Sequence, residues 1–238
     1  MMDNLTIIIP VYNEEDNLHR LKDSLQSYIN QAKLQTKILF VNDGSTDNSE
    51  PIIIAICEEN SDFNYLSFTQ NYGLSAALKA GFDNVKTSLV GYMDADLQTD
   101  PNDFNLLLDH IDNFTMVTGI RSNRKDNFIK RMSSALANNF RRMFTHDGID
   151  DTGCPLKVIR TSSAKMIPMF KGMHRFLPAM IILQNGTVKQ VPVQHFPRRA
   201  GKSKFGIWNR SFGPLADCFA FLWMKRRYIR YDISNSDL

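Results

Sequence analysis

The feature that most constrains this chain is an alternation, through its first 118 residues, of short apolar runs with stretches of helical periodicity. Leu5–Val11 is a continuous, largely β-branched run, and Leu18, Leu21, Leu25 and Ile29 follow it at helical spacing within residues 14–30. Lys37–Val41, Tyr65–Phe68, Leu89–Met93 and Met116–Thr118 read as four further strands. Between them lie a helix holding Ile52–Ile56 and two more near 74–85 and 102–111. Strands regularly separated by helices predict parallel β-α-β units, hence an α/β fold with a doubly wound, mostly parallel, Rossmann-like sheet flanked by helices. Ligands of such sheets bind beyond the carboxyl ends of the strands, so the polar residues just after each strand are the ones to inspect.

The second half is less regular. A helix is predicted over 127–144, and Lys189–His195 alternates like an edge strand. With 238 residues and no linker-like tract, the reading is a single domain over 1–238. Residues 1–118 form a donor and metal half, 119–206 an acceptor half, and 207–238 a basic, amphipathic tail. Charge divides along the same line. Residues 1–118 carry 6 Lys+Arg against 18 Asp+Glu, and residues 119–238 carry 22 against 7. An acidic surface suits cations and a basic one suits anions. Cys57, Cys154 and Cys218 are odd in number, far apart and without a C-x-x-C pair, which argues against a disulfide framework and a zinc site. No run approaches a membrane span, and Asp3 stands where a signal peptide would be basic; a cytoplasmic location is expected.

Four strand ends supply the candidate chemistry: Pro10-Val11-Tyr12-Asn13-Glu14-Glu15, Asn42-Asp43-Gly44-Ser45, Gln70-Asn71-Tyr72-Gly73 and Met93-Asp94-Ala95-Asp96-Leu97-Gln98. Asp94 and Asp96 are two carboxylates two residues apart after an apolar strand. They suit Mg²⁺ or Mn²⁺, which take one or two carboxylates and fill their remaining positions with water and diphosphate oxygens. Gln98 is close enough to add an amide oxygen. The competing role, a turn and helix cap, is already filled by Asp100-Pro101-Asn102-Asp103. Asp43 precedes Gly44, where the backbone could approach a ribose or base, although Asn, Asp, Gly and Ser also make plain turns.

The ordered set P-V-Y-N-E-E, D-G-S-T-D, Q-N-Y-G-L-S-A-A-L-K-A-G, D-A-D-L-Q, G-I-R, D-T-G-C-P-L-K, R-F-L-P and H-F-P-R-R-A-G-K-S-K-F resembles the family 2 glycosyltransferases. Within them it is similar to the dolichyl- and polyprenyl-phosphate sugar transferases, from about residue 5 to 207. The resemblance implies a GT-A fold, a UDP- or GDP-sugar donor, a divalent metal, and inverting transfer onto an undecaprenyl or dolichyl phosphate at the cytoplasmic face of a membrane. By position it implies that Pro10, Tyr12, Glu14 and Asp43 hold the nucleoside, and that Asp94, Asp96 and Gln98 hold metal and diphosphate. This chain departs from the pattern in having Asn42 where an aspartate is usual and Pro155 where a glycine is usual. Members often continue into transmembrane helices, which these 238 residues do not contain.

The basic half offers a phosphate clamp: Arg121 at a strand end, Lys130, Arg131, Ser133 and Ser134 within about one helical turn, and Arg198, Arg199, Lys202, Ser203 and Lys204 in a Gly-containing loop. The family's phosphate-binding arginine aligns with either Lys130 or Arg131. A phosphate acceptor needs no general base, since its second pKa is near 6. A hydroxyl acceptor would need one, with Asp151 favoured, Asp150 beside it and His195 read as structural. Alternative functions are such a hydroxyl-directed transferase, or a non-catalytic nucleotide-sugar or anionic-lipid binding protein. Nucleic-acid binding is not expected, because no such motif is present. In the tail, Phe212, Leu215, Phe219, Phe221, Leu222 and Trp223 precede Lys225, Arg226, Arg227 and Arg230. That pattern suits a helix lying in a membrane interface, or one packing its aromatics on the domain's own core.

Overall fold

A computed structural model describes residues 4–121, 142–197 and 207–229, with residues 207–215 described by their backbone alone. The elements run β1 (Leu5–Val11), α1 (Glu15–Ile29), β2 (Thr36–Asn42), α2 (Ser49–Glu59), β3 (Phe63–Ser67), α3 (Leu74–Asn84), β4 (Leu89–Tyr92), α4 (Phe104–Leu108) and β5 (Met116–Arg121). They continue with β6 (Lys157–Arg160), α5 (Thr161–Lys165), α6 (Leu177–Leu183), β7 (Val188–Val193) and α7 (Ile207–Arg227). The strands form one seven-stranded sheet in the order β3-β2-β1-β4-β6-β5-β7.

The alternation of strands and helices does what it predicts, with β1 pairing parallel to β2 and to β4 and β2 pairing parallel to β3. Strand β1 is apolar apart from Thr6 because both its faces are covered. Ile7 and Ile9 join the core under α1, α2 and α4, and Ile8 joins the opposite core under α3, α6 and α7. All three are fully buried, which stabilises each by about 1.5–3 kcal/mol relative to exposure. Pro10 falls where β1 has passed the end of its pairing with β4 at Ile8–Tyr92, so the missing N–H breaks no ladder on that side.

Three expectations are corrected. The helix near 102–111 is a 3-10 turn at Pro101–Asp103, the short α4, and a second 3-10 turn at Ile111–Asn113. Strand β5 runs on to Arg121 instead of stopping at Thr118. Strand β6 is unforeseen: it lies between β4 and β5 and is antiparallel to both. The edge strand is β7, paired parallel to β5, with Val191 and Val193 inward and Pro192 outward. Residues 142–145 are helical, and the rest of the helix expected over 127–144 lies outside the described residues.

Helix α7 packs one side on the domain's own core. Cys218, Phe221 and Met224 are buried in the core, with Phe221 stacked on Phe176 at 5.5 Å and Asp217 reaching Arg175 at 3.5 Å. Phe219 and Trp223 are 61% and 65% exposed, Phe219 with its ring edge-to-face with Phe144 at 5.4 Å and Trp223 with Arg227 over its ring at 6.0 Å. Phe212, Leu215 and Arg230 lie outside the described side chains. Among the described residues no helix is long and apolar enough to cross a membrane.

Candidate active site at the carboxyl edge of the sheet

Parallel pairing brings the ends of β1, β2, β3 and β4 to one edge, and β5 and β7 reach the same edge through antiparallel β6. The β1 and β2 loops are fastened to each other there. The backbone N–H of Asn13 donates to Ser45 Oγ at 3.0 Å, and that of Glu14 donates to Ser49 Oγ at 2.9 Å. The Asn13 side chain accepts from the Thr46 N–H at 2.7 Å. These bonds hold Asn13 in the left-handed region, φ 51°, which asparagine tolerates better than most residues. Pro10, Tyr12 and Glu14 are therefore presented on a tied loop, each partly exposed. Glu14 Oε2 also accepts from the Asn17 side chain at 2.7 Å.

Asp43 is bonded to the neighbouring 70–73 loop. It is 4% exposed, and its carboxylate accepts from the backbone N–H of Tyr72 at 2.7 Å, that of Gly73 at 2.9 Å and the Asn71 side chain at 3.0 Å. Burial pushes its pKa up while the two amides pull it back. Its task here is to shape the 70–73 loop. Gly44 permits that approach: at φ 66°, a Cβ would sit 2.2 Å from the Gln70 carbonyl carbon. Neighbouring Asn42 is buried and spends its side-chain oxygen on the Ser45 N–H at 3.1 Å.

Asp94 and Asp96 stand just past the end of β4, Asp94 partly open to the crevice and Asp96 buried. The Tyr92 hydroxyl donates to Asp94 Oδ1 at 2.7 Å, and Asp96 Oδ1 accepts from the Gln98 N–H at 3.1 Å. Between them and Gln98, Leu97 is forced to φ 57°, a conformation that costs a non-glycine residue about 1–3 kcal/mol. Burial first, and then the charge of Asp96, push the Asp94 pKa up to about 6, while Tyr92, Lys157 and Arg121 act the other way. The Tyr92 phenol is held well above its ordinary range by burial and by the two aspartates, so it stays a donor. Gln98 Nε2 donates to the Phe196 carbonyl at 3.3 Å, and the Phe196 N–H returns a bond to the Gln98 carbonyl at 2.9 Å. The segment leading to Arg198 thus begins beside the D-A-D loop.

Two cations, one partly buried and one fully buried, complete the edge. Arg121, the last residue of β5, grips Asp151 with two parallel bonds, Nε to Oδ2 at 2.8 Å and Nη2 to Oδ1 at 2.7 Å. Burial would lower the Arg121 pKa, but the hydrogen bonds and charge of Asp151 outweigh it and raise it. Both members are largely buried, at 15% and 8% side-chain exposure. Asp151 is thus the partner of a cation, and Asp150 pairs with Arg142. Lys157, 1% exposed, donates to the carbonyls of Thr152, at 3.3 Å, and of Cys154, and its Nζ lies 5.9 Å from the centre of the Tyr92 ring. Burial lowers its pKa. Neither Tyr92 nor Lys157 is a candidate from sequence, although Lys157 closes the D-T-G-C-P-L-K run. The candidates Lys130, Arg131, Ser134 and Arg198 lie outside the described residues.

The donor set suits a hard divalent cation. Two carboxylates and a nearby amide leave most of a coordination sphere for water and phosphate, and among the described residues no cluster of three His, Cys, Asp or Glu side chains forms a closed protein cage.

This edge belongs to a known architecture. Residues 6–170 match the family Glycosyl transferase family 2. The chain is 29% identical over 230 residues to a dodecaprenyl-phosphate galacturonate synthase of Rhizobium johnstonii, covering 93% of this chain and 67% of that protein. It is 32% identical over 208 residues to an undecaprenyl-phosphate 4-deoxy-4-formamido-L-arabinose transferase of Edwardsiella ictaluri, covering 85% and 63%. The chain therefore spans about two thirds of the length of these relatives. Its fold is that of the glucosyl-3-phosphoglycerate synthase of Mycobacterium tuberculosis, solved with Mn²⁺, UDP-glucose and phosphoglyceric acid: TM-score 0.72 at 14% identity, covering 96% of this chain and 81% of that one.

The raised Asp94 pKa sets a pH dependence. An ionised Asp94 destabilises the metal-free fold at pH above about 6, and the cost disappears as pH falls through that value toward the unfolded pKa of 3.8. Asp94→Asn, which can still accept from Tyr92, is expected to raise the melting temperature at pH 8 and to lose that advantage by pH 4. Thermal melts of the metal-free protein and variant at the two pH values check this.

Proposed function

This chain belongs to glycosyl transferase family 2, and from that membership we propose that it transfers a sugar, with inversion, from a nucleotide sugar to a polyprenyl phosphate. The observation that carries the reading is the adjacency, at one sheet edge, of a carboxylate pair suited to a cation and a fixed guanidinium suited to a phosphate. The named activities of the two relatives, both acting on polyprenyl phosphates, point the same way.

In this reading residues 1–118 receive the donor. Pro10, Tyr12 and Glu14 line the nucleoside, and Asp43 acts behind them by shaping the 70–73 loop. Asp94, Asp96 and the side-chain oxygen of Gln98 hold Mg²⁺ or Mn²⁺ against the diphosphate. When bound, that cation supplies positive charge opposite the departing nucleoside diphosphate. Residues 119–206 receive the acceptor: Arg121 is oriented by Asp151, and Lys130 or Arg131, Ser134 and Arg198 complete the phosphate clamp. An ionised phosphate oxygen of the acceptor forms a bond to the anomeric carbon as the bond from that carbon to the diphosphate breaks. No proton has to be removed, and Asp151, already committed to Arg121, is not needed as a base. That pairing weighs against the hydroxyl-acceptor alternative.

The third part of the proposal is location. Residues 207–238 form the membrane-facing tail of the single domain, and the outer face of α7 rests on anionic lipid at the cytoplasmic side. Phe219 and Trp223 are exposed beside exposed Lys225, Arg226 and Arg227, which is the composition of an interfacial helix.

The activity is tested by incubating the protein and Mn²⁺ with a panel of UDP- and GDP-sugars, with and without undecaprenyl phosphate, and following nucleoside diphosphate release. One donor is expected to give lipid-dependent, chelator-sensitive turnover that Asp96→Ala reduces by orders of magnitude. Arg121→Lys keeps a cation beside Asp151 but removes the fork, and is expected to weaken acceptor binding about tenfold or more with little change toward donor. Turnover in excess chelator, or turnover with sugar hydroxyls alone, contradicts the reading.

Membrane docking has its own test. Cosedimentation with anionic liposomes is expected to be salt-sensitive and to fall sharply when Phe219 and Trp223 become Ser, or when Lys225, Arg226 and Arg227 become Gln. Protein that stays in the supernatant at low salt rules the docking face out.

A further inference from the structure

The carboxylate pair does not stand on its loop alone. Tyr92 is the last residue of β4, 6% exposed, and its ring is buried in the core that underlies α3, α6 and α7. Two residues on, Asp94 accepts from its hydroxyl at 2.7 Å. The ring is backed from the neighbouring strand. Tyr92 and Lys157 are directly paired residues of β4 and β6, and the Lys157 ammonium lies 5.9 Å from the ring centre. A buried cation at that distance from the face of an aromatic ring attracts it. The ammonium is itself tied to the carbonyls of Thr152 and Cys154. The phenol therefore has a ring fixed in the core and a hydrogen-bond acceptor two residues away, Oδ1 of Asp94.

We propose that Tyr92 is a positioning residue for the cation site, holding Asp94 in its ligating orientation from a socket closed by Lys157. This rests on the reading of Asp94 as a cation ligand. It assigns a role to a residue that touches neither substrate nor cation, and acts only through the carboxylate it holds. Hydrogen bonds of this kind fix the direction of a ligating carboxylate before the cation arrives, and removing one costs roughly 10–100-fold in metal affinity.

The test is Tyr92→Phe, which deletes the hydroxyl and keeps the ring, compared with the unaltered protein and with Asp94→Asn. Mn²⁺ affinity is measured directly, by titration of MnCl₂ in the presence of UDP. It is measured again as the Mn²⁺-induced rise in melting temperature, each variant read against its own metal-free melt, so that a loss of stability alone does not move the result. Tyr92→Phe is expected to weaken Mn²⁺ binding about tenfold or more, and to raise the Mn²⁺ concentration needed for half-maximal turnover while kcat recovers at saturating Mn²⁺. Unchanged Mn²⁺ affinity in Tyr92→Phe overturns the positioning role, as does a kcat that stays low at saturating Mn²⁺. If the unaltered protein itself binds no Mn²⁺, or Asp94→Asn binds it equally well, the cation reading of Asp94 fails first and this proposal with it.

Discussion

Everything at the functional edge of this protein depends on keeping carboxylates ionised where the fold buries them. Asp43, Asp96 and Asp151 are all less than a tenth exposed, and Asp94 stands beside Asp96. A bare carboxylate in such a place takes up a proton, because burial disfavours the charged form. Each has a different answer. Asp43 is held by backbone amides of the 70–73 loop, and Asp151 by the fork of Arg121. Asp94 has the Tyr92 hydroxyl and the more distant charges of Lys157 and Arg121, and with Asp96 still beside it its pKa remains at about 6. Asp94, its pKa raised to about 6 by burial and by Asp96, is thus a carboxylate that a divalent cation would keep ionised.

The antiparallel strand β6 makes this arrangement possible. A purely parallel sheet would place β5 directly beside β4. Instead β6 enters between them in the opposite direction, so its first residue, Lys157, arrives at the carboxyl edge together with the 151–156 loop that precedes it. One short strand thereby sets Asp151 against Arg121, and Lys157 against Tyr92. The acidic and basic halves of the chain meet there as neighbouring strands of a single sheet.

Much of this was legible in the residues, and the failures have physical causes. The runs at Leu5–Val11, Lys37–Val41 and Leu89–Met93 are apolar because both faces of a central strand are buried, and nothing in their surroundings overrides that pattern. Strand β6 escaped because its four residues, Lys157–Arg160, begin and end in charged side chains, and a buried lysine looks like a surface one in sequence. The helix near 102–111 broke into short turns that apolar periodicity does not distinguish from a continuous helix. At the site, the rule that ligands lie beyond strand ends located Asp94 and Asp96. It gave the edge but not the hydrogen bonds of Asp43, whose carboxylate accepts from loop amides 28 to 30 residues away. Tyr92 was invisible because an aromatic at the end of a strand reads as core, which it also is.

The central claim is that the D-A-D loop binds a divalent cation and, with it, a nucleoside diphosphate. A crystal structure of the protein with Mn²⁺ and UDP, with diffraction data collected at the manganese absorption edge, tests it most directly. The account predicts an anomalous peak within bonding distance of the Asp94 and Asp96 carboxylates, with the uracil and ribose lying along the Pro10–Glu14 loop. A manganese peak elsewhere, or UDP bound with both aspartates uninvolved, would contradict it.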